Sequence, residues 1–214
     1  MLLAHHPSLV AALREPSAAD PWRVLVSGCL AGWRCGVDGS DYGLPVTIAD
    51  LLVLPTLRAL PFCPEQHALG TPRTMPDIHG GDGFDVLAGR ARVMDEQGVD
   101  LTAEMITGGR AMLAYARSVD AELAVLTDMS AACGSQVISD GCRLVEHRRW
   151  QKGVGVATAL LLEAGIAVVS QRDFATLALL RARLEPGWVG PEGARDHHEH
   201  PWTLANLSKP HPRA

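Results

Sequence analysis

Three cysteines of this chain each stand just past a short apolar run of the kind that forms a buried strand. Val24-Leu25-Val26 leads into Ser27-Gly28-Cys29, and Leu60-Pro61-Phe62 into Cys63-Pro64-Glu65. Leu123-Ala124-Val125-Leu126 leads on to Ser130-Ala131-Ala132-Cys133-Gly134. Parallel strands of one sheet bring their carboxyl ends to one crevice, where open α/β sheets bind ligands. Three thiols distant in sequence would then converge, which is the geometry of a metal site.

The spacing narrows the metal. Structural zinc sites pair their ligands roughly two to four residues apart, and no C-x-x-C pair occurs here. Cys29 and Cys35 are six apart, Cys133 and Cys142 nine apart, and Cys63 stands alone. Single ligands from separate strand ends favour a cluster pocket, because iron–sulfur clusters are held mainly by Cys thiolates. If only three thiolates bind, one iron stays open to act on substrate as a Lewis acid. One such cysteine would read as a buried core residue. Three at successive strand ends, each flanked by Gly, Pro or Ser, reverse that reading. Cys142, beside Gly141, reads as an incidental loop thiol, while Cys35 stays open between ligand and substrate contact.

Other polar residues fall near the same strand ends. Glu65, two residues past Cys63, suits a general acid or base at the pocket mouth. It suits equally a helix-start glutamate after Pro64, favoured by the helix dipole. Ser130 either contacts substrate or caps the turn before Cys133, the cap being the stronger reading. Arg73 could fork onto a substrate carbonyl or pair with Asp77 or Asp82. Asp38-Gly39 and Asp82-Gly83 read as turns. The histidines at 197, 198, 200 and 211 read as a solvated, disordered run rather than a metal site.

The elements that must position these groups alternate. Strands are expected at Arg23–Ser27, ending at Cys63, at Leu123–Leu126 and at Ile166–Ser170. Helices are expected over Thr47–Leu54 with Thr47 as cap, from Asp100 through Ala116, over Val154–Ala164 with Gly165 as the stop, and over Asp173–Leu184. Gly70–Gly83, dense in Pro and Gly, is expected to hold no regular structure. Val86–Met94 suits an edge strand or hairpin arm, and Gly134–Gly153 a loop with a small hairpin. The fold class is therefore α/β: a three-layer, mostly parallel, Rossmann-like sheet with cysteines at strand C-terminal ends. Three divisions follow: 1–22, an N-terminal helix (Pro7 to Arg14) and connector; 23–184, the α/β domain; and 185–214, a Pro/His-rich C-terminal tail.

Composition excludes several function classes. At 214 residues and 47% hydrophobic, the chain can bury one sizeable core. Its net charge of −5 supplies no global basic field for a nucleic-acid backbone. Arg143, His147, Arg148 and Arg149 read as a solvated loop face. No window approaches the ~18 apolar residues of a membrane span, and His5, His6 and Pro7 interrupt any signal-peptide core. A cytoplasmic protein with reduced thiols is expected, in which separated cysteines serve metal or catalysis rather than disulfides. Nothing here fixes an oligomeric state.

The ordered motifs resemble the DUF523 family, which includes the thiouracil desulfidases. They run from Ser27-Gly28-Cys29-Leu30-Ala31-Gly32 through Cys35, Asp38-Gly39, Cys63-Pro64-Glu65, Thr71-Pro72-Arg73, Gly80-Gly81-Asp82-Gly83 and Ser130–Gly134. Asp140-Gly141, Gly153–Leu161 and Gly165-Ile166 continue the series, so the resemblance covers about Arg23 to Ser170. It implies a [4Fe-4S] cluster on Cys29, Cys63 and Cys133, whose open iron takes the sulfur of a small thiocarbonyl heterocycle. Water would replace that sulfur without net redox change. Glu65 would serve as acid–base residue and Ser130 as substrate-side hydroxyl, with Arg73 and Cys35 as candidates for substrate contact. Ala131 and Ala132 depart from the family's Pro and second Ser, Thr127 from a common Lys, Gly36-Val37 from Arg-Tyr, and Cys142 from Thr. The expected partner is a small thiolated substrate, with no membrane and no nucleic acid. The alternatives are a non-catalytic iron–sulfur or zinc module and a desulfidase for thiolated RNA nucleotides.

Overall fold

The computed structural model describes residues 11–41 and 46–207, without the side chains of 46 and 47. In chain order its elements begin with β1 (Trp22–Ser27), α1 (Val46–Leu52), β2 (Leu57–Phe62) and α2 (Pro64–Leu69). Next come β3 (Asp77–His79), α3 (Gly83–Leu87), β4 (Arg92–Met94), the long α4 (Thr102–Ser118) and β5 (Leu123–Leu126). The last are β6 (Val137–Ser139), β7 (Trp150–Lys152), α5 (Val156–Glu163), β8 (Ala167–Ser170), α6 (Phe174–Leu184) and α7 (Pro201–Asn206). The expected Pro7–Arg14 helix lies largely outside the described residues, as do Tyr42, the Thr47 side chain and His211.

Four strands form one all-parallel sheet in the order β2-β1-β5-β8. These are the four apolar runs of the sequence, and β5 and β8 are buried throughout. Side chains alternate across a strand, and here the alternation divides two cores. Leu25, Ala124, Leu126 and Val168 pack beneath α4 and α5 with Met105, Met112, Ala157 and Leu161. Val24, Val26, Leu123, Val125 and Val169 face the other way, against Ile48 and Leu51 of α1 and Leu177, Leu180 and Leu184 of α6. The result is a three-layer α/β fold.

Register places the cysteines. Ser27 stands opposite Phe62 and Val26 opposite Val125. Cys29, Cys63 and the segment after Leu126 therefore leave the sheet along one edge. Gly108 of α4 lets that helix lie against the backbone behind Cys63, because a Cβ there would collide with the Pro64 carbonyl.

Three stretches differ from expectation. Gly70–Gly83 contains β3, which pairs antiparallel with β4. Of the expected edge strand or hairpin arm Val86–Met94, Arg92–Met94 is the strand paired with β3, whereas Val86 and Leu87 belong to the helix Gly83–Leu87; Asp82-Gly83 is a helix start rather than a turn. Asp82 accepts from the Phe84 and Asp85 amides while Asp85 accepts from the Asp82 amide, a reciprocal cap that outweighs the alternating apolar pattern. Residues 196–207 are not a disordered run. Asp196 accepts from the Thr176 amide and hydroxyl at 2.9 and 2.8 Å, His197 is buried, and α7 follows with Pro201 in its first turn. The expected hairpin within 134–153 is present as β6–β7. No helix among the described residues is long and apolar enough to cross a membrane.

Candidate metal and active site

Cys29, Cys35, Cys63 and Cys133 line one cavity of about 260 Å³ at the carboxyl edge of the sheet. Cys142 is not part of its wall. Cys29 sits in a single 3-10 turn, Gly28–Ala31, that directly continues β1, and its sulfur shares a 2.9 Å hydrogen bond with the Thr127 hydroxyl. Cys63 is the N-cap of α2, and its sulfur accepts the Gln66 amide at 3.3 Å. A thiol at a helix start faces unpaired N–H groups that favour thiolate.

Cys133 lies in a turn gripped from both sides. The Ser130 hydroxyl accepts the amides of Ala132 and Cys133 at 3.1 and 2.9 Å. The first amides of α5 bind the turn's carbonyls: Gly155 to Gly134, Val156 to Ala131, and Ala157 to Ala132. Thr158 Oγ1 donates to the Cys133 carbonyl at 3.0 Å. The orphan donors of a helix N-terminus thus hold the loop that carries a site residue.

Ser130 also donates to Glu65 Oε1 at 2.8 Å. Glu65 stands in the first turn of α2 and also lines the cavity, so a helix-start position does not take it away from the pocket mouth. Its other oxygen is bound by Arg73 through Nη2 at 2.6 Å and Nε at 3.2 Å, with both side chains nearly buried. Arg73 Nη2 donates to the Cys35 carbonyl at 3.0 Å as well. Arg73 is engaged by Glu65, where the sequence offered Asp77 and Asp82 as carboxylate partners. Asp77 is taken by Arg143 and Ser139, and Asp82 caps α3. Arg143, expected on a solvated loop face, is turned inward by that contact and also donates to the Met129 carbonyl.

The thiols differ in acidity. Hydrogen bonding to Cys35 lowers Cys29 to about 7 against the effect of burial, with help from Thr127. Cys35 lowers Cys63 in the same way, aided by the Gln66 amide and the Arg73 charge. Cys35 is itself pushed up by its contacts with Cys29 and Cys63 and by burial. Burial holds Cys133 well above the ordinary thiol range, and the charges of Glu65, Cys63 and Cys29 add to that.

Among the described residues, no group of three or more His, Cys, Asp and Glu side chains stands ready to grip a single metal ion. The thiols surround a space rather than a point. That donor set, all soft sulfur around a cavity, fits an iron–sulfur cluster.

Two residues of this neighbourhood escaped sequence reasoning. Asp128, fully buried, accepts the amides of Met129, Ser135, Gln136 and Val137 on Oδ1. Its Oδ2 lies 2.6 Å from His197 Nδ1. Cys29, Thr127 and Asp128 also border a second cavity of about 550 Å³, walled by Phe174, Arg195, His197 and Trp202. Neither a lone Asp after a strand nor a His in a Pro/His-rich tail carries a signal by itself.

The model of the 2-thiouracil desulfurase family matches residues 24–173. The chain is 35% identical over 151 residues to the uncharacterized protein YbbK of Bacillus subtilis (strain 168), spanning 70% of this chain and 96% of YbbK. Among solved structures it resembles the [4Fe-4S]-dependent thiouracil desulfidase TudS, with a TM-score of 0.62 and 33% identity. That match covers 75% of this chain and 98% of TudS.

Proposed function

From the premise that the chain belongs to the 2-thiouracil desulfurase family, we propose a [4Fe-4S]-dependent, non-redox desulfidase acting on a small thiocarbonyl heterocycle. In the overall change, a C=S group and one water become a C=O group and one hydrogen sulfide, with no electron transferred. The observation that carries this reading is the cavity itself, where thiols from three strand ends face Glu65 and Ser130. The likeness to TudS, a [4Fe-4S]-dependent protein, supports the cofactor.

Cys29, Cys63 and Cys133 would hold the cluster. A cluster on three thiolates supplies an open iron, a soft Lewis acid for a thiocarbonyl sulfur. The chain's own groups do the rest. Glu65 takes a proton from the attacking water and later returns one toward the departing sulfide. Arg73 fixes the carboxylate by its two-point contact. Ser130 orients the other carboxylate oxygen and holds the Cys133 turn. Cys35 keeps Cys29 and Cys63 in their thiolate-prone state before loading and faces the substrate space afterwards. The buried walls limit water to what the reaction consumes.

Anaerobic purification with iron and acid-labile sulfide analysis, followed by incubation with 2- and 4-thiouracil and detection of released sulfide, tests cluster and reaction together. About four irons per chain and stoichiometric sulfide release are expected. Stoichiometric zinc with no cluster would overturn the proposal.

A further inference from the structure

The family match ends at residue 173, yet a residue beyond it contacts Asp128 in the wall of the site. Residues 196–207 form an arm tied down at both ends. At its root, Asp196 is held by Thr176, and the His197 amide donates to Asp173 Oδ1 at 3.1 Å. Asp173 Oδ2 in turn accepts the Ser170 amide at the end of β8. At its far end, Leu207 forms a backbone bridge with Trp150 of β7, whose ring also packs against Trp202. Between these anchors His197 is inserted, 5% exposed, with Nδ1 on Asp128.

Asp128 is the hub of the Cys133 segment. One carboxylate oxygen gathers the amides of Met129, Ser135, Gln136 and Val137, which bracket Ser130 and Cys133 on both sides. The Asp128 amide is itself fixed by Gln171 Oε1 at 2.6 Å. A buried carboxylate is costly unless it is paired and hydrogen-bonded, and His197 is its side-chain partner. Among the described residues, the one hydrogen bond of the His197 ring is the Nδ1 contact with Asp128.

We propose that the C-terminal arm is a clamp on the Cys133 loop, with His197 as the positioning residue that acts through Asp128. The loop is held on its carbonyl side by the start of α5 and on its amide side by Asp128. The arm completes the second grip with a residue that the family domain does not supply. The consequence for cluster binding rests on the assignment of Cys133 as a ligand; the consequence for the loop does not.

The test separates the two. In the reduced, metal-free full-length chain, each cysteine's alkylation by N-ethylmaleimide is followed by mass spectrometry for the wild type, His197→Ala and His197→Gln. Loss of a charge-assisted buried hydrogen bond is expected to open the loop about tenfold more often. Cys133 should be modified about tenfold faster in His197→Ala, with Cys29 and Cys63 unchanged. His197→Gln should fall between, because its amide N–H still donates to Asp128. If His197→Ala does not fold, Thr176→Val, which loosens the arm's root without touching Asp128, should give the same selective acceleration. An unchanged Cys133 rate in the folded variants overturns the clamp, as does equal acceleration of every buried thiol. In the cluster-loaded protein, bleaching by a chelator should quicken alongside the thiol effect. Accelerated alkylation with unaltered bleaching would keep the clamp and overturn Cys133 as ligand.

Discussion

Ser130 donates its hydroxyl proton to Glu65 Oε1 at 2.8 Å while its own Oγ accepts the Cys133 amide at 2.9 Å. One serine therefore joins the acid–base candidate after β2 to the third thiol after β5. The geometry shows the turn reading of Ser130: its two lone pairs take the Ala132 and Cys133 amides and its one proton goes to the carboxylate, so the hydroxyl is spent within the protein. Ser130 thereby fixes the Glu65 carboxylate relative to the Cys133 turn.

Glu65→Gln keeps the side-chain length and removes the base. Sulfide release per cluster is expected to fall about 10²-fold or more, with the cluster absorbance retained. Full activity in a loaded Glu65→Gln protein would remove Glu65 from the mechanism. Both substitutions leave the nearly buried Arg73 guanidinium without its carboxylate, and Glu65→Ala removes every acceptor there as well. A loss of about 3 kcal/mol is expected for Glu65→Ala in urea unfolding of the metal-free chain. A Glu65→Ala protein as stable as the wild type would show that the pair contributes nothing.

Cys35→Ala should change the acidity of its neighbours rather than their positions. Its hydrogen bonds are the largest cause of the lowered Cys29 and Cys63 values. In the metal-free wild type, Cys29 alkylation should be half-maximal near pH 7, rising with pH as the thiolate forms, while Cys133 stays slow. In Cys35→Ala the Cys29 midpoint should move up toward the ordinary thiol range. An unmoved midpoint would assign the depression to Thr127 instead.

The parts of this site that were legible in the sequence are those set by local rules. The four sheet strands are short runs of apolar residues with polar or glycine breaks, and a buried parallel strand cannot be written otherwise. Cys29, Cys63 and Cys133 were legible because a strand end fixes where the next residues go. The end of helix α3, Val86 and Leu87, reads as strand although the helix cap is present as Asp82 and Asp85, since the apolar alternation continuing to Met94 imitates one. Strand β3 is three residues between Pro76 and Gly80, too short for a period to show. The Arg73 partner was not legible because three carboxylates were within plausible reach. Asp128 and His197 meet across 69 positions, and such a contact exists only once the arm has folded back.

Asp128 also makes acid stability a test of the loop. Burial alone would raise its pKa, but the His197 contact and the Ser135 and Gln136 amides outweigh that and hold it below the ordinary value of 3.8. A depressed carboxylate contributes stability that is fully present above its unfolded pKa and is lost as pH falls through the folded one. The wild type should therefore lose stability from about pH 4 downward. Asp128→Asn should be less stable at neutral pH but flatter across that acid range, as read from urea midpoints against pH. Parallel pH profiles for the two proteins would deny Asp128 this part.

Gly155 is the tightest point between α5 and the Cys133 turn. A Cβ there would fall on the carbonyl group of Ala132, with the Ala131 carbonyl oxygen 2.7 Å away. These are backbone atoms, so no rotamer change relieves the clash. Either the α5 start backs away, breaking the amide contacts from Val156 and Ala157 to Ala131 and Ala132, or the turn shifts and carries Cys133 with it. Gly155→Ala should cost about 1–3 kcal/mol of stability in the metal-free chain. It should also slow cluster incorporation more than Gly109→Ala, which meets the movable end of Leu160 at 2.9 Å in the same helix pair. Equal incorporation rates for the two variants at matched stability would show that α5 supports the fold without fixing the position of Cys133.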